Sequence, residues 1–227
     1  MLQIIPRDKA ETSAEYAYRA IRHNLVTMRI QPGSLVSEQE IAEQLGLSRT
    51  PVRDALRRLA RAGIIEIIPQ VGNRVAMIDY RLIEETRNVR LMLETAQIAG
   101  VCEKATDADF NRMEANVALQ QFYLEKEDQE QLMLLDNAFH RIFFEVTGNL
   151  LSHAIMQEVN IHFDRVRFVS LVDIRDNKTV EDHRAIAQAL RDRDADKAAK
   201  LLTLHLTRFH ADKATVSREY GKYILRQ

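Results

Sequence analysis

Three histidines and one aspartate in this sequence carry side chains that could bind one metal ion together. Asp136 and His140 are four residues apart, so on a helix both side chains leave the same face. His183 and His205 lie in later segments whose apolar spacing is also helical. If these helices face one interior, the set would suit a divalent transition metal with open positions for water or a ligand. Spacing alone does not distinguish such a site from ordinary surface or hydrogen-bonded histidines.

A cluster of arginines is the second feature with chemical potential. Residues 49–61 contain five arginines and one aspartate. Arg49, Arg53 and Arg57 follow one another at intervals of one helical turn, and the apolar residues between them form a separate stripe. A short helix with a cationic outer face fits the major groove of DNA. A single exposed arginine is usually only a solvated residue, so this interpretation depends on the neighbouring elements.

The segments before the arginine cluster predict a helix-turn-helix. Ser37–Glu40 has the spacing of a capping box, and Gly46 is placed to end the helix that follows it. Ser48 or Thr50 can cap the arginine helix, and Pro51 falls in its first turn, where its missing N–H costs nothing. Two capped helices joined by a glycine-containing turn form this motif.

The segment after the arginine cluster predicts a β-hairpin. Gly63 ends the helix, and residues 64–68 are rich in β-branched side chains. A turn at 69–73 containing Gly72 leads into a second strand at 74–77. A helix-turn-helix with such a hairpin is a winged helix.

The rest of the chain predicts an all-helical bundle of about six helices, so the fold class is mainly α. Residues 79–227 contain no proline and three glycines, and Thr106, Thr179 and Asp194 are candidate N-caps, with Gly148 as a helix stop. We place the domain boundary between residues 78 and 79. The predicted helices span 80–103, 107–126, 129–147, 150–172, 179–192 and 195–217.

Composition and charge agree with a cytoplasmic DNA-binding protein. The net charge is −1, but residues 1–78 hold 11 basic and 8 acidic side chains, while the remainder holds 21 and 25. The local cationic face matters more for binding than the total charge. The single cysteine, Cys102, excludes an internal disulfide and is expected to be buried. No apolar run is long enough to cross a membrane.

Residues 35–75 resemble the DNA-binding domain of the GntR family of bacterial transcription regulators. The resemblance implies DNA contacts from Arg49, Thr50, Arg53, Arg57 and Gly72. Arg49 and Arg53 would read guanine edges, whereas Arg57 or Arg58 would contact phosphate or the surface of its own domain. Gly72 would enter the minor groove, and Gln39 replaces an arginine that some relatives carry. The matching residues are Pro32-Gly33, Ile41-Ala42, Leu45-Gly46, Ser48 to Leu56, Leu59, Gly63 and Gly72.

Residues 135–206 contain motifs that resemble the FCD ligand-binding domain of the FadR subgroup. The matching motifs are Leu135 to His140, Gly148-Asn149, Asp182 to Ile186 and His205-Leu206. In metal-binding members one aspartate and three histidines hold zinc, nickel or manganese. The resemblance therefore implies that Asp136, His140, His183 and His205 bind such a metal.

The same resemblance implies a small carboxylate effector beside the metal. Arg90 matches an arginine–glutamate pattern of the first FCD helix and is the main candidate to bind it, although an ion pair with Glu94 is the alternative. Arg165 and Arg167 are weaker candidates. Three further histidines have no matching family position and are expected to lie at the surface or in packing contacts: His153, His162 and His210.

These features together predict a transcription regulator, expected to be a repressor, that is a homodimer on an inverted-repeat operator. Its effector would shift the population between DNA-competent and DNA-incompetent arrangements. A metal-dependent helical-bundle enzyme is one alternative, but the paired Glu-x-x-His motifs of di-iron proteins do not occur in the sequence. A protein-interaction module that binds an acidic partner through the arginine helix is the other.

Overall fold

The computed structural model describes residues 1–173, 178–208, 218 and 220–225. Its contacts divide the chain into two compact units, and neither is a single stretch of sequence. The first comprises Met1–Ile83, Ile161–Arg165 and the described residues of the segment 219–227. The second comprises Glu84–Asn160 and the described residues of the segment 166–218.

The first unit contains the predicted winged helix-turn-helix. Buried side chains of α1 and α3, including Ile21, Leu25, Leu56 and Leu59, supply much of its core. Complete burial of such a side chain contributes roughly 1.5–3 kcal/mol to folding. The elements are α1 Ser13–Val26, β1 Leu35–Val36, α2 Glu38–Leu45, α3 Arg49–Arg61, β2 Ile65–Ile68 and β3 Gly72–Val75.

The helix ends in this unit follow the predicted signals with two differences. The hydroxyl of Ser37 accepts a bond from the N–H of Glu40, but the reciprocal half of the expected capping box does not form. Ser48 holds the N-cap position of α3 without a side-chain bond, and Thr50 lies inside the helix. Gly46 ends α2 with φ of +65°, a left-handed conformation that glycine adopts without steric cost.

The wing is a small antiparallel sheet with the strand order β1–β3–β2. β2 and β3 form the predicted hairpin, with Ile65 opposite Val75 and Ile68 opposite Gly72. β1 adds a third strand that pairs Leu35 with Arg74. The hairpin is therefore tied back to the segment that immediately precedes α2.

The second unit is an all-helical bundle, as predicted, but its described residues form one more helix than expected. The predicted helix 150–172 is divided at Asn160, which ends α7 with its N–H bonded to Met156. Asparagine is a weak former of helix interiors because its side chain competes for backbone bonds. The helices are α4 Tyr80–Lys104, α5 Asp107–Glu125, α6 Gln129–Thr147, α7 Leu150–Val159, α8 Ile161–Asp173, α9 Lys178–Arg191 and α10 Ala195–Thr207. The first residues of α4, 80–83, and of α8, 161–165, belong to the first unit.

The predicted caps of this unit are mostly present. Thr106 forms a complete capping box with Asp109, and Asp194 accepts the N–H of Lys197. Thr179 is not an N-cap, because α9 already includes Lys178. Gly148 ends α6 as expected.

The core of the bundle is built from apolar side chains of α4, α5, α6, α9 and α10. Phe139 and Phe143 on α6 are fully buried in it, and Cys102 on α4 is buried as expected. None of the described helices is long and apolar enough to cross a membrane. His210 lies outside the described residues.

Candidate metal centre and nucleic-acid interface

Four predicted ligands come together inside the helical bundle. Helix α6 supplies Asp136 and His140 from one face, α9 supplies His183, and α10 supplies His205. One ligand atom from each residue lies within 4.8 Å of every other. Asp136, His140 and His183 are buried, and the side chain of His205 is only slightly exposed. These are the four residues that the family resemblance implied as ligands.

The spacing of these atoms fits a small transition-metal ion. Nε2 of His183 lies 3.2 Å from Nε2 of His140 and 3.2 Å from Nε2 of His205. Oδ1 of Asp136 lies 3.5 Å from Nε2 of His140 and 3.7 Å from Nε2 of His183. Tetrahedral ligands at bond lengths of about 2.0–2.1 Å are separated by roughly 3.4 Å. The donor set and its dimensions therefore suit such an ion.

The outer nitrogens of the three histidines face acceptors on other residues. Nδ1 of His183 is 2.7 Å from Oε1 of Gln120. Nδ1 of His140 is 2.7 Å from the carboxylate of Glu94, and Nδ1 of His205 is 3.4 Å from that of Asp182. A proton on an outer nitrogen would leave the Nε2 lone pair of that ring directed inward. Second partners of this kind orient metal-binding imidazoles and raise their basicity.

Two histidines of the cluster, His183 and His205, are held in the neutral form that binds a metal. Burial lowers the pKa of His183 well below its ordinary value, and the neighbouring His205 lowers it further. Burial also lowers the pKa of His205, against the opposing effect of its bond to Asp182. Neutral imidazole is the metal ligand, so neither group needs to lose a proton near neutral pH.

Two buried carboxylates, Asp136 of the cluster and Glu94 next to it, remain ionised because each pairs with an arginine. Burial raises the pKa of Asp136, but the positive charge of Arg167 outweighs it and holds the pKa well below the ordinary range. Arg167 donates to Oδ2 of Asp136, whereas the buried Oδ1 accepts no hydrogen bond from the described residues. This unused oxygen is the one that faces the histidines.

Arg90 and Glu94 form the second such pair, one turn apart on α4. Nε of Arg90 donates to Glu94 at 2.6 Å, and both side chains are almost completely buried. Burial raises the pKa of Glu94, but the positive charge of Arg90 and the neighbouring His140 lower it to about 2. The other oxygen of Glu94 lies 2.7 Å from Nδ1 of His140, so Glu94 lies between Arg90 and the cluster.

The other candidate arginine, Arg165, and two further histidines serve packing. Arg165 belongs to the first unit, where its guanidinium donates to the carbonyls of Ala76 and Met77. His162 is buried in the same unit and its Nε2 lies 2.8 Å from the carbonyl of Ala62. His153 packs against Phe144 in the bundle. As expected, His153 and His162 are packing residues.

The predicted base-reading residues lie on the exposed face of α3. The side chains of Arg49 and Arg53 are 59% and 45% exposed, and Thr50 is exposed between them. Both arginines approach one carboxylate of α2: Nε of Arg53 donates to Glu38 at 3.1 Å, and Arg49 lies 3.6 Å from the same oxygen. Glu38 thus draws the two guanidinium groups together.

The other predicted contacts of this surface occupy different positions. Arg57 is exposed on α3, while Arg58 lies over the ring of Tyr18 at 3.9 Å and so covers its own unit. Gly72 is exposed at the start of β3 with φ of +120°, which side chains rarely adopt. Nothing within 4 Å would contact an added Cβ there, so the backbone geometry explains the glycine.

Several residues of these sites could not be identified from spacing. Glu38, Gln120 and Asp182 carry acceptors whose partners lie on other helices, so spacing does not show these contacts. Arg167 was considered only as a weak effector ligand, yet it pairs with Asp136. Arg167 lies on α8, after the break at Asn160, so its spacing from Asp136 along the chain does not indicate this pairing.

Comparison with known protein families accounts for most of the chain. Residues 13–75 match the model described as bacterial regulatory proteins, gntR family. Residues 85–208 match the model described as FCD domain. These two matches cover the winged helix and the helices that carry all four candidate metal ligands.

Individual relatives agree with the family matches. The chain is 28% identical over 190 residues to the HTH-type transcriptional repressor RspR of Escherichia coli strain K12, with 83% of each chain covered. It is 27% identical over 194 residues to the Nta operon transcriptional regulator of Aminobacter aminovorans, covering 83% of this chain and 88% of that one. The structure of E. coli McbR/YncC has a TM-score of 0.80 at 21% identity, covering 92% of this chain and 99% of that chain, which supports the fold.

Proposed function

This chain belongs to the GntR family of bacterial regulatory proteins and is a transcription regulator, not an enzyme, and from that premise we propose that it is a metal-containing repressor controlled by a small organic acid. The observation that carries the proposal is the buried convergence of Asp136, His140, His183 and His205. Repression is supported by the name of the similar RspR protein. Because its DNA partner lies in the bacterial cytoplasm, we assign the protein to that compartment.

The winged helix of residues 1–78 recognises the operator. Arg49 and Arg53 reach guanine edges in the major groove, and Thr50 lies between them on the same exposed face. Arg57 contacts phosphate, and Gly72 lets the wing backbone approach the minor groove. A homodimer places two such surfaces on the half-sites of an inverted repeat.

The helical domain of residues 79–227 holds a divalent transition metal, and zinc, nickel and manganese are the ions most consistent with the site. Three imidazole nitrogens and one carboxylate oxygen suit such ions better than calcium or magnesium, which prefer oxygen ligands. When bound, the ion supplies a Lewis-acid site with room for an added ligand. Arg167 pairs with Asp136, and Glu94 pairs with Arg90, so the buried charges around the ion are paired.

A small carboxylate binds at this centre with help from Arg90. The guanidinium of Arg90 is buried, and Glu94 orients it by accepting a hydrogen bond from Nε. Its charge contributes to the lowered pKa values of His183 and His205. A planar guanidinium matches the geometry of a carboxylate. Effector binding favours the arrangement of the dimer that cannot bind the operator, so DNA is released by a population shift.

Substitution of one ligand tests the proposal. His140→Ala should abolish stoichiometric zinc in the purified protein and remove the response to carboxylates, while leaving basal affinity for operator DNA. His153→Ala is the matched control, because that histidine lies in the same unit outside the cluster. Metal analysis and gel-shift titration with a set of small carboxylates are the measurements. A wild-type protein that takes up no zinc, nickel or manganese would contradict the metal assignment.

A further inference from the structure

Beyond the four ligands, we propose that Gln120, anchored by Asn116, is a positioning residue that fixes His183 in the tautomer whose Nε2 faces the ion. The proposal rests on the metal-binding function proposed above. Gln120 is on α5, a helix that contributes none of the four candidate ligands, and its side chain is completely buried.

A continuous chain of hydrogen bonds runs from the backbone of α6 through α5 to α9. Nδ2 of Asn116 donates to the carbonyl of Leu135 at 3.1 Å. Nε2 of Gln120 donates to Oδ1 of Asn116 at 2.7 Å, and Oε1 of Gln120 lies 2.7 Å from Nδ1 of His183. Leu135 directly precedes the ligand Asp136, so the chain begins and ends beside the metal cluster.

The first bond determines the direction of all the others. A backbone carbonyl can only accept, so the amide nitrogen of Asn116 must face Leu135 and its oxygen must face Gln120. That oxygen requires the amide nitrogen of Gln120, which leaves the oxygen of Gln120 for His183. Nδ1 of His183 therefore carries the proton, and its Nε2 presents a lone pair to the cluster.

Packing keeps the imidazole of His183 in the plane that this bond requires. The ring of Phe139 stacks on it with centroids 4.5 Å apart and an angle of 24° between the planes. With one face covered and Nδ1 held, an exchange of Nδ1 and Nε2 would break the bond to Gln120. The two other histidines have carboxylates at their outer nitrogens, so His183 alone among the three uses a neutral amide.

Removing the amide while keeping the shape tests this role. Gln120→Met retains an unbranched side chain but lacks the strong acceptor, and zinc affinity should fall by about 10–100-fold. Gln121→Met is the matched control, because that neighbouring amide donates only to Glu125 among the described contacts and should leave affinity unchanged. Competition with a chelator of known zinc affinity measures both.

The tautomer itself is measurable in the metal-free protein by nitrogen-15 NMR of the histidine rings. Wild-type His183 should show a protonated Nδ1 and an unprotonated Nε2, and Asn116→Leu should add the other tautomer and weaken zinc binding to a smaller extent. A wild-type His183 protonated on Nε2, or unchanged zinc affinity in Gln120→Met, would overturn the proposal. Failure of the wild-type protein to bind zinc would instead count against the proposed function, and the NMR result would still decide the positioning role.

Discussion

Nε of Arg53 on α3 donates a 3.1 Å hydrogen bond to the carboxylate of Glu38 on α2. Arg49 lies 3.6 Å from the same carboxylate oxygen. The two residues proposed to read bases are therefore held by one acidic group before DNA arrives. Because all three side chains are accessible to solvent, each contact is weak enough to be exchanged for a contact with DNA.

Arg53→Ala should weaken binding to the preferred operator by about 1–3 kcal/mol and relax base preference at one position of each half-site. The reason is the loss of a bidentate contact to guanine. The operator can be selected from random duplexes with the wild-type protein, and affinities then measured by fluorescence anisotropy. Arg57→Ala, as a phosphate contact, should weaken all sequences alike and reduce the salt dependence. Equal effects of the two substitutions on all sequences would contradict the assigned roles.

Glu38→Gln should raise affinity for non-specific DNA by a few-fold while reducing discrimination between operator and non-specific sequences. The substitution removes a negative charge near the phosphates and an ion pair that pre-positions Arg49 and Arg53, and exposed pairs contribute roughly 0.2–1 kcal/mol. Glu40→Gln changes the same charge at an exposed position on the same helix. If both substitutions change DNA affinity and discrimination equally, Glu38 acts only through its charge and does not pre-position the arginines.

Arg167→Met should destabilise the metal-free protein by about 3–5 kcal/mol, since it leaves the carboxylate of Asp136 buried without its cationic partner. Zinc should restore a larger share of stability in the variant than in the wild type, because the ion can replace the lost charge. Urea unfolding with a chelator and with zinc measures both effects. Arg141→Met, which removes an exposed ion pair with Glu145, should cost less than about 1 kcal/mol.

His162 should make the stability of the metal-free protein depend on pH. Burial lowers its pKa to about 4, so between about 6.5 and 4 the unfolded chain binds more protons than the folded chain. Stability should therefore fall as the pH drops below 6.5, and this residue accounts for roughly 2 kcal/mol at pH 5. His162→Gln should lose correspondingly less stability between pH 7 and pH 5 in urea unfolding. An equal loss in both proteins would exclude this contribution.

The sequence predicted the elements of both sites well because their signals are local. Residues at the N-cap positions and glycines after the helices indicate where α3 and α6 begin and end. One-turn spacing indicates which residues share a face with Arg53 on α3 and which share a face with His140 on α6. The metal ligands on separate helices were matched through family resemblance, since spacing alone left them open. Their convergence to within 4.8 Å is a property of the packed bundle.

The partners of these residues could not be predicted for a physical reason. Glu38 meets Arg53 across the turn between two consecutive helices, and Gln120 meets His183 on a helix much later in the chain, so both contacts form only when the helices pack. A buried amide or carboxylate has the same local sequence signature whether it supports a ligand or closes a structural bond. The break at Asn160 was missed as well, because apolar spacing continues across it.

The guanidinium of Arg165 satisfies the carbonyls of Ala76 and Met77, and Arg22 pairs with the buried Asp164 at 2.5 Å. Residues 161–165 therefore complete a unit whose other main part ends at Ile83. A fragment cut after the wing would leave these polar groups unpaired, and limited proteolysis should digest it faster than the same segment in the full chain. We therefore expect the winged helix to be less stable when it is produced without residues 161–165.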